Sequence, residues 1–152
     1  DVDDAKLEAA RKLGATDVVN SIRENVREAV FAKTGNRGVD VAFEALGRPQ
    51  TWNSALETLR DGGRMIPIGL GAGVQTAEVE INRTVRRSQS FVGSYGALTR
   101  QDLPEVVRLA ADGTIHYEEI VTRRFSLDEV ASGYDLLRKG EVQGRGVVDL
   151  PL

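Results

Sequence analysis

Val39-Asp40-Val41-Ala42-Phe43-Glu44-Ala45-Leu46 is followed at once by Gly47. The stretch is apolar along nearly its whole length, the pattern required of a strand covered on both faces of a sheet. Downstream, Gly47 gives a turn, and Pro49 suits the first turn of a helix over 49–60. Asp61-Gly62-Gly63 breaks that helix, and residues 64–70 read as the next strand. Pro67 cannot donate a ladder hydrogen bond, so it marks a bulge or a strand end. Residues 77–81 alternate with period two and predict a short edge strand; residues 90–95 predict a further strand. Upstream, Asp3 can cap a helix over 4–13 that Gly14 ends. Residues 17–20 read as a short strand. Ser21-Ile22-Arg23-Glu24 reads as a capping box for a helix that stops at Gly35. Repeated strand–helix–strand connections predict a parallel sheet with helices on both faces.

The character changes near residue 96. Asp102-Leu103-Pro104-Glu105 predicts a capped helix with Leu103, Val106, Val107 and Ala110 on its buried face. Ser126-Leu127-Asp128-Glu129 is a second capping box. Its helix should bury Leu127, Val130, Ala131, Tyr134 and Leu137, a 3.6-residue period. Gly140 ends it, and residues 146–150 form a terminal strand.

Composition excludes several classes. The 152 residues suffice for one sizeable core. At 41% hydrophobic and 28% charged, the chain is not a disordered one. A net charge of −3 gives no electrostatic case for nucleic acid. No apolar run is long enough to span a bilayer as a helix. The absence of cysteine rules out a thiolate metal site within the chain and fits a reducing, cytoplasmic compartment. His116, the only histidine, cannot build a metal site alone and reads as a surface or loop residue.

Several segments in order resemble one family. They are Asp1-Val2-Asp3 with Lys6; Leu13-Gly14-Ala15-Thr16-Asp17-Val18-Val19-Asn20; and Gly38 through Gly47. Gly62-Gly63-Arg64, Gly93-Ser94-Tyr95-Gly96, Phe125-Ser126-Leu127-Asp128-Glu129 and Gly140 through Gly146 follow. The whole is similar to the zinc-type alcohol dehydrogenases of the medium-chain dehydrogenase/reductase superfamily. The resemblance implies an α/β fold: a Rossmann-like, doubly wound parallel sheet lacking its first strand, plus a C-terminal helical and strand segment of the catalytic domain. It implies a partial NAD-binding domain at residues 1–95 and a segment returning to the catalytic domain at 96–152. It further implies an NAD-dependent oxidoreductase that transfers hydride between an alcohol and NAD. Zinc belongs to the parent family, with its ligands upstream of Asp1, so this chain is expected to bind none and to be inactive alone. The expected partners are the nicotinamide cofactor and either further copies of the chain or a missing N-terminal half; neither nucleic acid nor membrane is expected. Two alternatives stand beside this reading: a non-catalytic domain of the same fold used for association, and a zinc-free quinone or enoyl reductase relative.

The resemblance places cofactor contacts at ten residues. Asp1 falls where the family's ribose acid stands, about 20 residues after a glycine-rich turn. Its carboxylate accepts ribose hydroxyls and repels a 2′-phosphate, which points to NAD over NADP. Lys6 matches a position near the same ribose, against the plain reading of a solvated lysine. Leu46, with Gly47, lines the adenosine side, or Leu46 is simply core. Ile68, Gly69 and Leu70 end a strand whose backbone would hold the nicotinamide carboxamide. Ser94, Tyr95 and Gly96 match a second strand end that serves the carboxamide. Arg145 matches an arginine reaching the pyrophosphate, for which a planar guanidinium is suited. Gly69-Leu70-Gly71-Ala72-Gly73 is not a phosphate loop: the third glycine of Gly-x-Gly-x-x-Gly would fall on Val74, and no helix opens there. With the first strand absent, the strands at 17–20 and 39–46 would be separated by two vacant positions, a gap of roughly 14 Å.

Overall fold

The structure is a computed structural model and describes residues 1–151. The chain folds as two units, Asp1–Gly96 and a second from Ala97 onward.

In the first unit α1 (Asp4–Lys12) and α2 (Val26–Lys33) precede the first strand, β1 (Val39–Glu44). Then come α3 (Pro49–Thr58), β2 (Leu59–Pro67), α4 (Ile81–Arg86) and β3 (Ser90–Phe91). The strands lie in the order β1-β2-β3, all parallel. Parallel neighbours need a crossover, and α3 supplies it between β1 and β2. Leu56, Leu59 and Met65 form the buried apolar core, with Val39, Ala42, Trp52, Ala55 and Val79 packed on it. The Trp52 ring centroid stands 6.2 Å from that of Phe91. The fold class is therefore parallel α/β, as the alternation of helices and apolar strands predicts.

Several boundaries differ from the sequence expectation. Residues 17–20 form no strand: they run extended beside Asp1, whose amino group donates to the Val19 carbonyl at 3.1 Å and whose carbonyl accepts from the Ser21 amide at 3.1 Å. One residue of neighbour is too little for a ladder. The Ser21–Glu24 capping box does not form either. Asn20 takes the turn instead, accepting from Ile22 at 3.0 Å, while Asn25 caps α2 by accepting from Glu28 at 3.1 Å. β2 starts at Leu59, before the Asp61-Gly62-Gly63 break. The ladder passes from the Val39–Leu59 pair to Val41–Arg64, so residues 60–63 bulge out, with Gly62 at φ 69°. Residues 77–81 are not a strand, because the Glu80 side chain accepts from the Arg83 amide at 3.0 Å and caps α4. Of 90–95 only Ser90–Phe91 is strand. The segment still follows β2, with Val92 and Ser94 donating to Met65 and Pro67 at 3.0 and 3.1 Å. β1 itself is not covered on both faces: Phe43 is 65% exposed.

The second unit pairs β4 (Val121–Ser126) with β5 (Arg145–Asp149) in parallel, joined through α7 (Val130–Lys139). α5 (Thr99–Ala111) and α6 (Tyr117–Ile120) precede this pair. Strand β4 has no counterpart in the sequence expectation. The Phe125 ring fills the space beside two glycines: a Cβ at Gly133 or Gly146 would come within 3.3 and 2.9 Å of it. The capping box at Ser126 forms, with the Glu129 carboxylate accepting from the Ser126 amide and hydroxyl at 2.8 Å each. α5 begins earlier than expected, because Asp102 reaches back to accept from the Leu98 amide at 2.7 Å. The apolar faces of α5 and of α7 with the turn before it are open rather than buried: Leu103, Val107, Leu127, Tyr134 and Leu137 are each more than half exposed. A helical period marks a face that can be covered; it does not supply the cover.

Candidate functional site

The carboxyl ends of β1 and β2 are tied together by polar contacts centred on one residue. Glu44 closes β1 and is only 2% exposed. Its Oε1 accepts from the Leu46 amide at 2.8 Å, the Gly47 amide at 3.0 Å and the Thr51 hydroxyl at 2.6 Å. Its Oε2 accepts from the Gly47 amide at 2.9 Å. Its own carbonyl accepts from Ile68 and Gly69 at 2.8 and 3.0 Å. A buried charge is tolerated only when hydrogen bonds replace water, and here backbone amides and a hydroxyl do so without a cation. Burial pushes the carboxyl up. Thr51 and the amides of Leu46, Gly47 and Arg48 push harder the other way, and it sits below its ordinary range. The carboxylate also stands at the amino end of α3, where the N-cap residue Arg48 makes no side-chain cap. A negative charge there meets the unpaired N–H groups and the positive end of the helix dipole.

Beyond Glu44 the two loops meet backbone to backbone. Gly47 has φ 68°, and a Cβ on it would lie 2.6 Å from the Leu70 carbonyl carbon. A Cβ on Gly69 would lie 2.5 Å from the carbonyl carbon of Ala45. No side chain fits at either position, so both glycines are there for close approach.

On the other flank of β1 a cleft of about 680 Å³ separates the strand from the amino-terminal segment. Asp1, Lys6, Leu46, Val19, Val41 and Phe43 are among its lining. The buried Asn20 ties the amino-terminal segment together: its amide donates to Asp4 Oδ1 at 2.7 Å and to the Val2 carbonyl at 3.4 Å. The Asn20 amide, joined by Arg23 at 2.5 Å, lowers the Asp4 carboxyl. Asp3 caps α1 through the Ala5 amide at 2.8 Å. The amides of Val2 and Asp3 both donate to Asp1 Oδ1, at 2.7 and 3.0 Å.

The structure brings Asp1, Lys6 and Leu46 onto this one cleft. Ile68, Gly69 and Leu70 follow the end of β2, with Gly69 against the backbone of Leu46. Ser94 stands beside that end through its bond to Pro67, and Tyr95 and Gly96 continue from it fully in the open. Arg145 opens β5 in the second unit and is exposed. Among the described residues no group of three His, Cys, Asp or Glu side chains could hold a metal ion. None of their helices is long and apolar enough to cross a membrane. Sequence reasoning missed Glu44 and Asn20. For Glu44 the signal was a carboxylate closing an apolar strand, three residues before a glycine turn.

A unit of parallel strands joined through helices is the architecture of dinucleotide-binding dehydrogenases. The family model of the zinc-binding dehydrogenases matches residues 1–112, and the chain belongs to that family. It is 32% identical over 149 residues to the L-threonine 3-dehydrogenase of Burkholderia vietnamiensis (strain G4 / LMG 22486), covering 98% of this chain and 42% of that protein. Among solved structures, the alcohol dehydrogenase TADH from Thermus sp. ATN1 superposes with a TM-score of 0.88 at 28% identity, over 99% of this chain and 42% of that one. Benzyl alcohol dehydrogenase from Acinetobacter calcoaceticus gives 0.91 at 25% identity, over 99% and 41%. The chain therefore spans less than half the length of the proteins it matches, and it shares their Rossmann-like fold over that span.

Proposed function

We propose that the chain is the NAD-binding and C-terminal portion of a zinc-type alcohol dehydrogenase. In this reading residues 1–95 hold the cofactor, and residues 96–152 return to the catalytic domain. The observation that carries it is the family match over residues 1–112, together with a cleft whose lining includes Asp1, Lys6 and Leu46. When bound, the nicotinamide accepts a hydride from the alcohol carbon. The chain's own part is to bind and orient. Asp1 accepts the adenosine ribose hydroxyls, and Lys6 adds a cation near them. Leu46 offers an apolar wall to the adenine side. Backbone groups of Ile68, Gly69, Leu70, Ser94, Tyr95 and Gly96 orient the carboxamide, and Arg145 binds pyrophosphate. The described residues do not fit a zinc site, and no step is derived through the metal. The cytoplasm as compartment, and association with further copies or an N-terminal half, belong to the same proposal.

Titration calorimetry tests it. The chain should bind NAD saturably and NADP more weakly, and Asp1→Asn should narrow that difference by removing the charge that repels a 2′-phosphate. In the complete protein, Arg145→Ala should weaken NAD binding by about 1.5–3 kcal/mol, the worth of a hydrogen bond to a charged group. Association with concentration and no binding of either cofactor would instead favour a domain kept for assembly.

A further inference from the structure

Glu44 does more than end a strand. Its side chain gathers the Leu46 and Gly47 amides and the Thr51 hydroxyl, and its carbonyl gathers Ile68 and Gly69. Those partners come from the loop after β1, the first turn of α3 and the loop after β2. The same two loops are in backbone contact through Gly47 and Gly69. Glu44 itself lines the cleft that also holds Asp1, Lys6 and Leu46. We propose that Glu44 is the positioning residue of the cofactor edge: its carboxylate holds the 45–47 turn, and through the Gly47–Gly69 contact it sets the two strand ends against which a dinucleotide lies.

Two features make the role one of position, not of packing alone. The side chain is fully hydrogen-bonded yet has no cation partner, so its charge is spent on backbone amides whose placement defines the turn. Leu46, the residue it fixes, points away from the core and is 56% exposed, where a ligand can meet it. The assignment rests on the reading that this edge receives NAD, and its test separates the two.

Glu44→Gln keeps the volume but turns one acceptor oxygen into a donor that faces the Gly47 amide. Thr51→Val removes a single donor and is the milder change. Amide hydrogen exchange without cofactor should show Leu46 and Gly47 exchanging about tenfold faster or more in Glu44→Gln, the expected effect of losing a charge-assisted hydrogen bond. Amides of Met65 and Ala42 in the sheet should not change. NAD affinity, measured at a temperature where circular dichroism shows the variant fully folded, should fall by about tenfold for Glu44→Gln and less for Thr51→Val. Unchanged exchange at Leu46 and Gly47 overturns the proposal. So does unchanged NAD affinity alongside a lowered melting temperature, the signature of a purely structural residue. A wild-type chain that binds no NAD overturns the functional reading and with it the cofactor role of Glu44; the exchange result then decides only whether Glu44 holds the turn.

Discussion

Glu44 and Asn20 show how single buried polar groups replace apolar bulk in this chain. Each is less than a tenth exposed and each is held by several bonds. For Glu44 the consequence is pH-dependent. Its carboxyl lies below its ordinary range in the folded chain, so the unfolded chain binds its proton more readily. The stability it contributes is present above the ordinary carboxylate pKa and is lost as pH falls through the depressed folded value. Thermal melts across the acid range should show wild type losing stability there, with Glu44→Gln flatter over the same window and less stable at neutral pH. Parallel curves would remove Glu44 as a source of the acid sensitivity. Asp4 moves the same way through Asn20 and Arg23, but it is exposed, so solvent weakens its share.

At the scale of elements, the loops after β1 and β2 act as a welded pair. Gly69→Ala would drive a methyl to 2.5 Å from the Ala45 carbonyl carbon. Neither backbone can yield without breaking the bonds to Glu44, so the cost should be about 1–3 kcal/mol, as for an overpacked core. Denaturant titration checks this, with Gly73→Ala as a control whose methyl meets nothing within 4 Å, although its φ of 67° adds local strain. The elements legible in the sequence are those whose cause is local. Residues 39–44 declare themselves by apolar content, α3 by Pro49, and the turn before α7 by the Ser126–Glu129 box. Those misread depend on something distant or on a competing cap. Residues 17–20 needed a neighbouring strand to become one. Residues 77–81 carried a period-two pattern, but Glu80 spends its side chain on capping α4. The Gly62-Gly63 pair, read as an end, is a bulge inside β2. Near the strand ends the same rule holds: residues 68–70 were read as strand but follow β2, which stops at Pro67, and the bonds around Glu44 exist only once the two loops fold together.

At the largest scale, each unit leaves large apolar side chains exposed: Phe43 and Leu46 on the first, Leu127, Tyr134 and Leu137 on the second. Exposed apolar surface, where it is contiguous, binds partners or aggregates. The chain should therefore bind an apolar dye such as ANS in its folded state and associate as concentration rises. A dye-silent chain that stays monodisperse would show these faces to be covered in solution. Trp52 turns the architecture into an optical tool. It is the only tryptophan in the chain, and it stands on the first turns of α3 within the first unit. Its emission therefore watches one unit alone, while far-ultraviolet dichroism watches both. Comparing the two signals through a single denaturant titration reads out whether the halves melt together or apart.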